Sequence, residues 1–286
     1  MKNLSPRLMQ EYEYYSGQIS DIPEIKPPLI NISDTLKAYF ILADYFTDES
    51  SDNVESMLIG VRDVGLLSSA ISRQIVTFGN KAKYTDHIDI CATLFYGLVK
   101  NHSFSDGNKR TALLILLYQL SMFGYVPDAQ QKEFEKLVVA VAANTLDSQY
   151  EHIFNKVKKS DDPLVATISK VLRRNVKKKD HTYHIRPTMK EFCDALEKQG
   201  VKCEVNGTKL HFETSVKKGI FKKKECYSVS FSGWTRTVGA GVARSVLENM
   251  HLYNQYASYA DFMDGKEPMY QIVNEYSGPL RRLKDK

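Results

Sequence analysis

The nine residues from His102 to Arg110, His-Ser-Phe-Ser-Asp-Gly-Asn-Lys-Arg, constrain this chain more than any other stretch. They gather an imidazole, a carboxylate, an amide and two cations, and an apolar run from Thr111 to Met122 follows at once. That run holds no Gly or Pro and is long enough for about three helical turns. The segment therefore predicts a loop that delivers polar groups to a helix N-terminus. Free backbone N–H groups and the positive end of the helix dipole suit such a place to anions. There Asp106 can hold a divalent metal, and His102 can take a proton from a hydroxyl. Gly107 lets the backbone approach a phosphate with no Cβ in the way. Asn108 can donate its amide to a phosphoryl oxygen, and Arg110 offers a fork of donors to two oxygens. Asp106 has a competing structural role as the cap of the following helix. The chemistry that fits is transfer of a phosphate-containing group to a hydroxyl, whose proton a positioned base removes as the bond to phosphorus forms.

The motif resembles the signature of the Fic/Doc (Fido) family, His-x-Phe-x-Asp/Glu-Gly/Ala-Asn-Gly/Lys-Arg, with every fixed position met. Upstream, Val61-Arg-Asp-Val-Gly-Leu-Leu-Ser-Ser-Ala70 resembles the segment that Doc-type proteins carry before their active site. Arg73-Gln74, Phe78-Gly79 and Tyr84 resemble the flap region of the family, so the similarity runs from Val61 to Gly124. The resemblance implies a helical Fido domain with ATP and Mg²⁺ as cofactors. It implies His102 as the catalytic base, Phe104 as the anchor of the loop in the core and Asp106 as the metal ligand. Gly107, Asn108, Lys109 and Arg110 become the phosphate- and nucleotide-binding residues. A flap over residues 73–84, assisted by Arg73 and Lys83, would align a target protein by adding a strand to an extended segment. An antitoxin protein is a further expected partner.

Lys109 bears on which group moves. Fic-type AMP transferases usually have Gly there, whereas Doc-type proteins have Lys, and the Doc toxin resembles a kinase that transfers the terminal phosphate. Gly107 instead matches the Fic type, so the motif is a hybrid. The resemblance favours phosphorylation of a Ser, Thr or Tyr hydroxyl by a toxin or defence effector, with AMP transfer as the alternative. A reading from another class is a catalytically silent, nucleic-acid-binding or regulatory protein of the same fold. Some members carry an inhibitory helix marked Ser/Thr-x-x-x-Glu-Gly/Asn. Ser51 to Glu55 is followed by Ser56, and Ser245 to Glu248 is one residue short, so that device is not expected here.

At 286 residues the chain has the length for two domains and a sizeable core. It shows no apolar run of membrane-spanning length, and its first residues do not read as a signal peptide. Four scattered cysteines without a Cys-x-x-Cys pair read as reduced thiols. The expectation is a cytoplasmic protein without a membrane partner. The net charge of +5 hides an asymmetry: residues 1–162 hold 16 Lys/Arg and 21 Asp/Glu, residues 163–286 hold 23 and 13. This shift predicts a catalytic domain over 1–162, a basic linker with a short helix over 163–186, and a basic accessory domain over 187–286.

Helical spacing places helices over 35–46, 52–59, 88–100, 133–143 and 148–158, with Asp86 as a plausible N-cap. In the second domain Thr188 opens a helix that Gly200 ends. Val201–Val205 and Lys209–Thr214 alternate like strands around Asn206-Gly207, a hairpin signal. Glu225–Ser232 reads as a third strand and Gly239–Met250 as a closing helix. The fold class is therefore α+β: an all-α Fido domain with a small flap, then a smaller αβββα domain. That order resembles the double-stranded-RNA-binding and HicA-like topologies. Lys217, Lys218, Lys222, Lys223 and Lys224 surround Phe221, with Trp234 and Arg236 nearby. Basic residues interleaved with aromatics suit a phosphate backbone or a stacked base, making nucleic acid a candidate partner.

Overall fold

The computed structural model describes residues 4–19, 25, 28–46, 58–179, 186–218, 221–253, 259–265 and 268–284. The fold is α+β, and the chain divides into two compact units. The first comprises residues 1–20, 28–178 and 269–286; the second comprises 21–27 and 179–268.

The first unit is built on helices α1 (Pro6–Gln18), α2 (Ile32–Phe46), α3 (Val64–Ser72), α4 (His87–Lys100) and α5 (Asn108–Met122). Between α3 and α4 lies a hairpin of β1 (Thr77–Phe78) and β2 (Lys81–Ala82). After α5 come β3 (Tyr125–Pro127), α6 (Gln131–Ala142), α7 (Leu146–Gln149), α8 (Glu151–Val157), α9 (Pro163–Asn175) and β4 (Val176–Lys178). Every residue from Arg110 to Leu120 is buried, so α5 is enclosed on all sides, as its unbroken apolar run requires. Helices α2, α4 and α6 surround it. Asp86 caps α4 by accepting the N–H groups of Ile88 and Asp89 at 2.8 and 3.3 Å. Burial pushes its carboxyl up, but the Arg173 guanidinium and the two amides outweigh that and hold it below the usual carboxylate range. The helix expected over 148–158 is broken at Tyr150 into α7 and α8. Of the helix expected over 52–59, residues 52–57 lie outside the described residues, and 58–59 are not helical.

Two assignments made from charge need correction. The segment 163–178 is not a linker: Val165, Ile168, Val171 and Leu172 pack α9 into the first unit, and β4 pairs with β3. The chain after residue 187 is not all accessory domain either. Helices α13 (Pro268–Glu275) and α14 (Ser277–Arg282) follow the second unit, and residues from Met269 onward belong to the first. Met269, Val273, Tyr276, Leu280 and Leu283 recur at helical spacing, and all are buried. With these segments reassigned, the first unit holds 24 Lys/Arg against 21 Asp/Glu, and the second 15 against 13. The charge asymmetry between the halves of the sequence is absent between the units of the fold.

The second unit has the order α10 (Met189–Lys198), β5 (Lys202–Asn206), β6 (Lys209–Lys218), β7 (Phe221–Ser230), α11 (Ala240–Asn249), α12 (Tyr259–Asp264). Thr188 and Glu191 form a reciprocal capping box that starts α10. The strands form one antiparallel sheet in the order β5-β6-β7. A two-residue turn closes the register Asn206↔Lys209, with Gly207 at φ +61°. Leu210 and Phe212 alternate inward to meet Phe192, Leu196 and Val246, while His211 and Glu213 stay partly exposed.

Candidate active site

The loop from His102 to Gly107 is held against the segment before α3. Ser105 donates its N–H to the Gly60 carbonyl at 3.0 Å, and Val61 and Phe104 form an antiparallel bridge. The Ser103 carbonyl accepts the N–H groups of Arg62 and Asp63 at 2.8 and 3.3 Å. Asp63 then caps α3 by accepting from the Leu66 N–H. Beneath this short ladder lies Tyr39 of α2. Its ring stacks on Phe104 with centroids 4.1 Å apart and planes 8° from parallel. Its hydroxyl accepts the Gly60 N–H at 2.9 Å. Burial pushes the Tyr39 phenol up to about 12, so it stays protonated and keeps a hydrogen for the carbonyls of Leu58 and Gly60.

His102 takes φ +48°, a left-handed conformation that few residues other than Gly adopt. Its ring is exposed, while the next residue, Ser103, is buried. The Ser103 hydroxyl has no partner among the described residues. Asn108 closes the loop with a two-point clasp. Its side-chain oxygen accepts the Phe104 N–H at 2.9 Å, and its amide donates to the Phe104 carbonyl at 2.8 Å. One amide hydrogen expected to meet a phosphoryl oxygen is therefore engaged inside the loop. Gly107 sits at φ +76° immediately before α5, where a Cβ would be strained. No side chain caps the first turn of α5.

Asp106 does not cap that helix. One carboxylate oxygen accepts its neighbour's N–H, from Gly107, and the other accepts from the Arg110 guanidinium at 3.0 Å. Arg110 is 2% exposed and Asp106 is 37% exposed, so a buried cation is paired with a half-open carboxylate. The guanidinium also lies 5.2 Å from the centroid of the Phe46 ring.

These residues meet at a cavity of about 390 Å³. His102 and Ser105 to Arg110 line it on one side; Val139, Ala142 and Ala143 of α6, with Leu283, line the other. Among the described residues no group of three or more His, Cys, Asp or Glu could cage a metal. Asp106 is the one acid in the cavity lining. A single hard oxygen donor suits Mg²⁺ that takes its other ligands from phosphates and water, and does not suit a protein-caged ion such as zinc.

The flap residues are placed differently from the expectation. Arg73 does not face outward to a target. Its guanidinium bonds the Thr93 carbonyl and hydroxyl, each at 3.1 Å, reaches Asp162 at 3.4 Å and lies over the Tyr96 ring. It staples the end of α3 to α4. Lys83 lies 3.9 Å from the same Asp162, which also accepts the Tyr84 hydroxyl at 3.1 Å. Above this base, the turn of the β1–β2 hairpin has Gly79 and Asn80 at φ +54° and +61°. Phe78, 87% exposed, with Ile75 and Val76, presents an apolar surface there. In the second unit the side chains of Lys217, Lys218, Lys222 and Lys223 lie outside the described residues. Lys224 is exposed and pairs with Glu213 across the strands at 2.8 Å.

Sequence reasoning missed Tyr39, the clasp made by Asn108, and the wall of α6 and Leu283. Only the last had a readable signal, in the helical spacing of Met269 to Leu283. A sequence model of the Fic/DOC family matches residues 30–120, a span that takes in Tyr39, the loop and most of α5. Over residues 30–120 the chain is thus similar to the Fic/Doc family. The toxin Doc of Mycolicibacterium smegmatis is 44% identical over 52 residues. Those residues are 18% of this chain, and they cover 40% of that relative's length. No solved structure matches the chain. The Fic/Doc region thus supplies the polar side of the cavity and not its apolar wall.

Proposed function

We propose that this chain is a Fic/Doc-type transferase that moves a phosphate-containing group from ATP to a Ser, Thr or Tyr hydroxyl of a target protein. The observation that carries this reading is the convergence of His102, Asp106, Lys109 and Arg110 on one cavity at an uncapped helix N-terminus. His102 accepts the proton of the attacking hydroxyl as its oxygen bonds to phosphorus and the bond to the leaving phosphate oxygen breaks. Asp106 would hold Mg²⁺, whose charge neutralises phosphate oxygens when bound. The Gly107 backbone, Lys109 and Arg110 hold the phosphates. For Arg110 this requires the Asp106 carboxylate to share or release the guanidinium.

Phosphate transfer is favoured over AMP transfer because Lys109 puts a long cation where a smaller residue would leave room for the α-phosphate. Similarity to a toxin Doc supports a toxin or defence effector acting in the cytoplasm under an antitoxin partner. Among the described residues no helix is long and apolar enough to cross a membrane. For the second unit we propose an anionic partner, nucleic acid or an acidic protein face, held by Lys217, Lys218, Lys222, Lys223 and Lys224. The experiment that tests the reaction incubates the full chain with a cell lysate and ATP labelled at the α- or the γ-phosphate. Label on protein from γ-labelled ATP alone is the expected result. Label from α-labelled ATP would replace phosphorylation by AMP transfer, and label from neither would remove the transferase reading.

A further inference from the structure

The sequence groups Trp234 and Arg236 with the lysines around Phe221, and the fold separates them. Strands β6 and β7 pair from Lys209↔Ser230 at one end to Lys218↔Phe221 at the other. Phe221 and Ser230 are nine residues apart on one extended strand, which spans about 30 Å. Trp234 follows Ser230, so it stands at the opposite end of the sheet from the lysines. It is the chain's single tryptophan and is 42% exposed. The loop that carries it is tied down on both sides. Gly233, at φ +118°, turns the chain, and the Trp234 carbonyl accepts the Lys190 N–H at 3.1 Å. The carbonyls of Arg236 and Pro187 accept the N–H groups of Met189 and Val238, each at 2.8 Å. Phe231 packs on the core of the second unit and meets the indole edge-on, with ring centroids 4.9 Å apart. The loop carbonyls thus use the open N–H groups at the start of α10, and that helix end is not itself an anion site. The cations beside the ring are uncommitted: Lys190 and Arg236 are exposed and form no ion pair among the described residues. A Cβ on Gly233 would stand 4.0 Å from the Arg236 Cγ, so the Arg236 stem runs back along the residue before Trp234. Glu191, next to Lys190, is turned to Thr188, whose N–H and hydroxyl it accepts at 2.8 and 2.9 Å. A fixed, exposed indole flanked by two cations matches a flat ring joined to a phosphate. In a duplex the faces of the bases cover one another; in a single strand they are open to an aromatic side chain.

We propose that Trp234, with Lys190 and Arg236, is a stacking platform for an unpaired base of single-stranded nucleic acid, on a face of the second unit separate from the hairpin lysines. The proposal rests neither on the transferase reading nor on those lysines. Because Trp234 is the single indole of the chain, its fluorescence reports on its own occupancy. The test titrates the full chain with a single-stranded oligouridylate of about ten nucleotides, a length within the usual site size, and separately with polyglutamate, an anion without bases. Oligouridylate should quench the indole, and polyglutamate should not. The variant with Lys217, Lys218, Lys222, Lys223 and Lys224 changed to Ser should keep the quenching. With end-labelled oligouridylate, Trp234→Ala should weaken binding on the order of tenfold, the usual worth of one stacked base, and Trp234→Phe should retain most of it. The retained binding of Trp234→Phe guards against misfolding of the alanine variant. Lys190→Ala combined with Arg236→Ala should flatten the fall of affinity with salt, because two phosphates are then no longer neutralised. An indole that oligouridylate leaves unquenched, or parental affinity in Trp234→Ala, would overturn the proposal. Equal quenching by polyglutamate would overturn it in favour of an acidic protein surface. Quenching lost in the five-Ser variant would overturn the separate face and merge Trp234 with the hairpin.

Discussion

The loop of residues 102–110 and the β6–β7 hairpin both concentrate charge, and the chain treats the two differently. In the loop, a guanidinium is buried beside an aromatic ring, its carboxylate partner is half-open, and an amide clasps the backbone. Each polar group has a fixed address around a cavity. In the hairpin, the described cation Lys224 reaches one partly exposed carboxylate across the strands. Such a pair is surrounded by water and screened by salt. Charge density in a sequence therefore says little by itself. Burial converts it into a site, because inside the protein each charge must be oriented and answered.

The largest effect that tests this contrast is on catalysis. His102→Ala should lower transfer of label to the target by about 10²–10⁴-fold, the usual worth of a positioned base. Because the ring is exposed, the midpoint of urea unfolding should stay close to that of the parent. Equal transfer by variant and parent would remove His102 from the mechanism.

A smaller effect, on stability, separates the buried pair from the exposed one. Asp106→Ala strands the Arg110 guanidinium, 2% exposed, without its partner. Breaking a fully buried pair costs about 3–5 kcal/mol. Asp106 is 37% exposed, so a discounted cost of roughly 2 kcal/mol is expected in urea unfolding. Arg110→Met added to Asp106→Ala should recover most of that loss, because an apolar side chain can replace the stranded charge. A double variant no more stable than the single one would show that Arg110 is held by packing against Phe46 and not by its ion pair.

The loop was legible because its groups are contiguous in sequence: an imidazole, a carboxylate, a glycine and two cations next to an apolar run. The elements of the αβββα unit were legible for the same local reasons, through the capping residue Thr188, the Gly207 turn and strict alternation at Leu210 and Phe212. What failed was long-range. Tyr39 stands 65 residues before Phe104 in sequence and stacks on it. Nothing in its neighbours announces the contact. Arg73 was assigned to the flap through the family resemblance, yet Thr93 and Asp162, both distant in sequence, draw it inward. The linker expected over 163–186 was placed by counting charge, and its residues 163–178 belong to the first unit. The basic residues of α9 occupy one face of a helix whose other face, Val165, Ile168 and Leu172, is core. Charge counted along a chain averages over the two faces of a helix, and so it misplaced a domain boundary that the apolar periodicity would have corrected.

The smallest expected effect on folding, and the one that tests the other side of the contrast, is at the hairpin. Changing Lys217, Lys218, Lys222, Lys223 and Lys224 together to Ser should leave the unfolding midpoint unchanged within error. The pair of Lys224 with Glu213 is open to solvent, and such a pair adds little to stability. The informative readout is binding. If the hairpin holds nucleic acid, the parent's affinity for a short duplex RNA should fall steeply with salt, because each neutralised phosphate releases counterions. The five-Ser variant should then show a flatter slope, and its transfer activity on a target peptide should be unchanged. A parent that binds no RNA or DNA at low salt would turn the role of these lysines to an acidic protein surface, where complementary charge speeds encounter without a phosphate backbone. A five-Ser variant that unfolds at lower urea would break the contrast itself. Water-screened charge would then be holding the β6–β7 strands together, which neither the exposure of Lys224 nor its single partner provides a means to do.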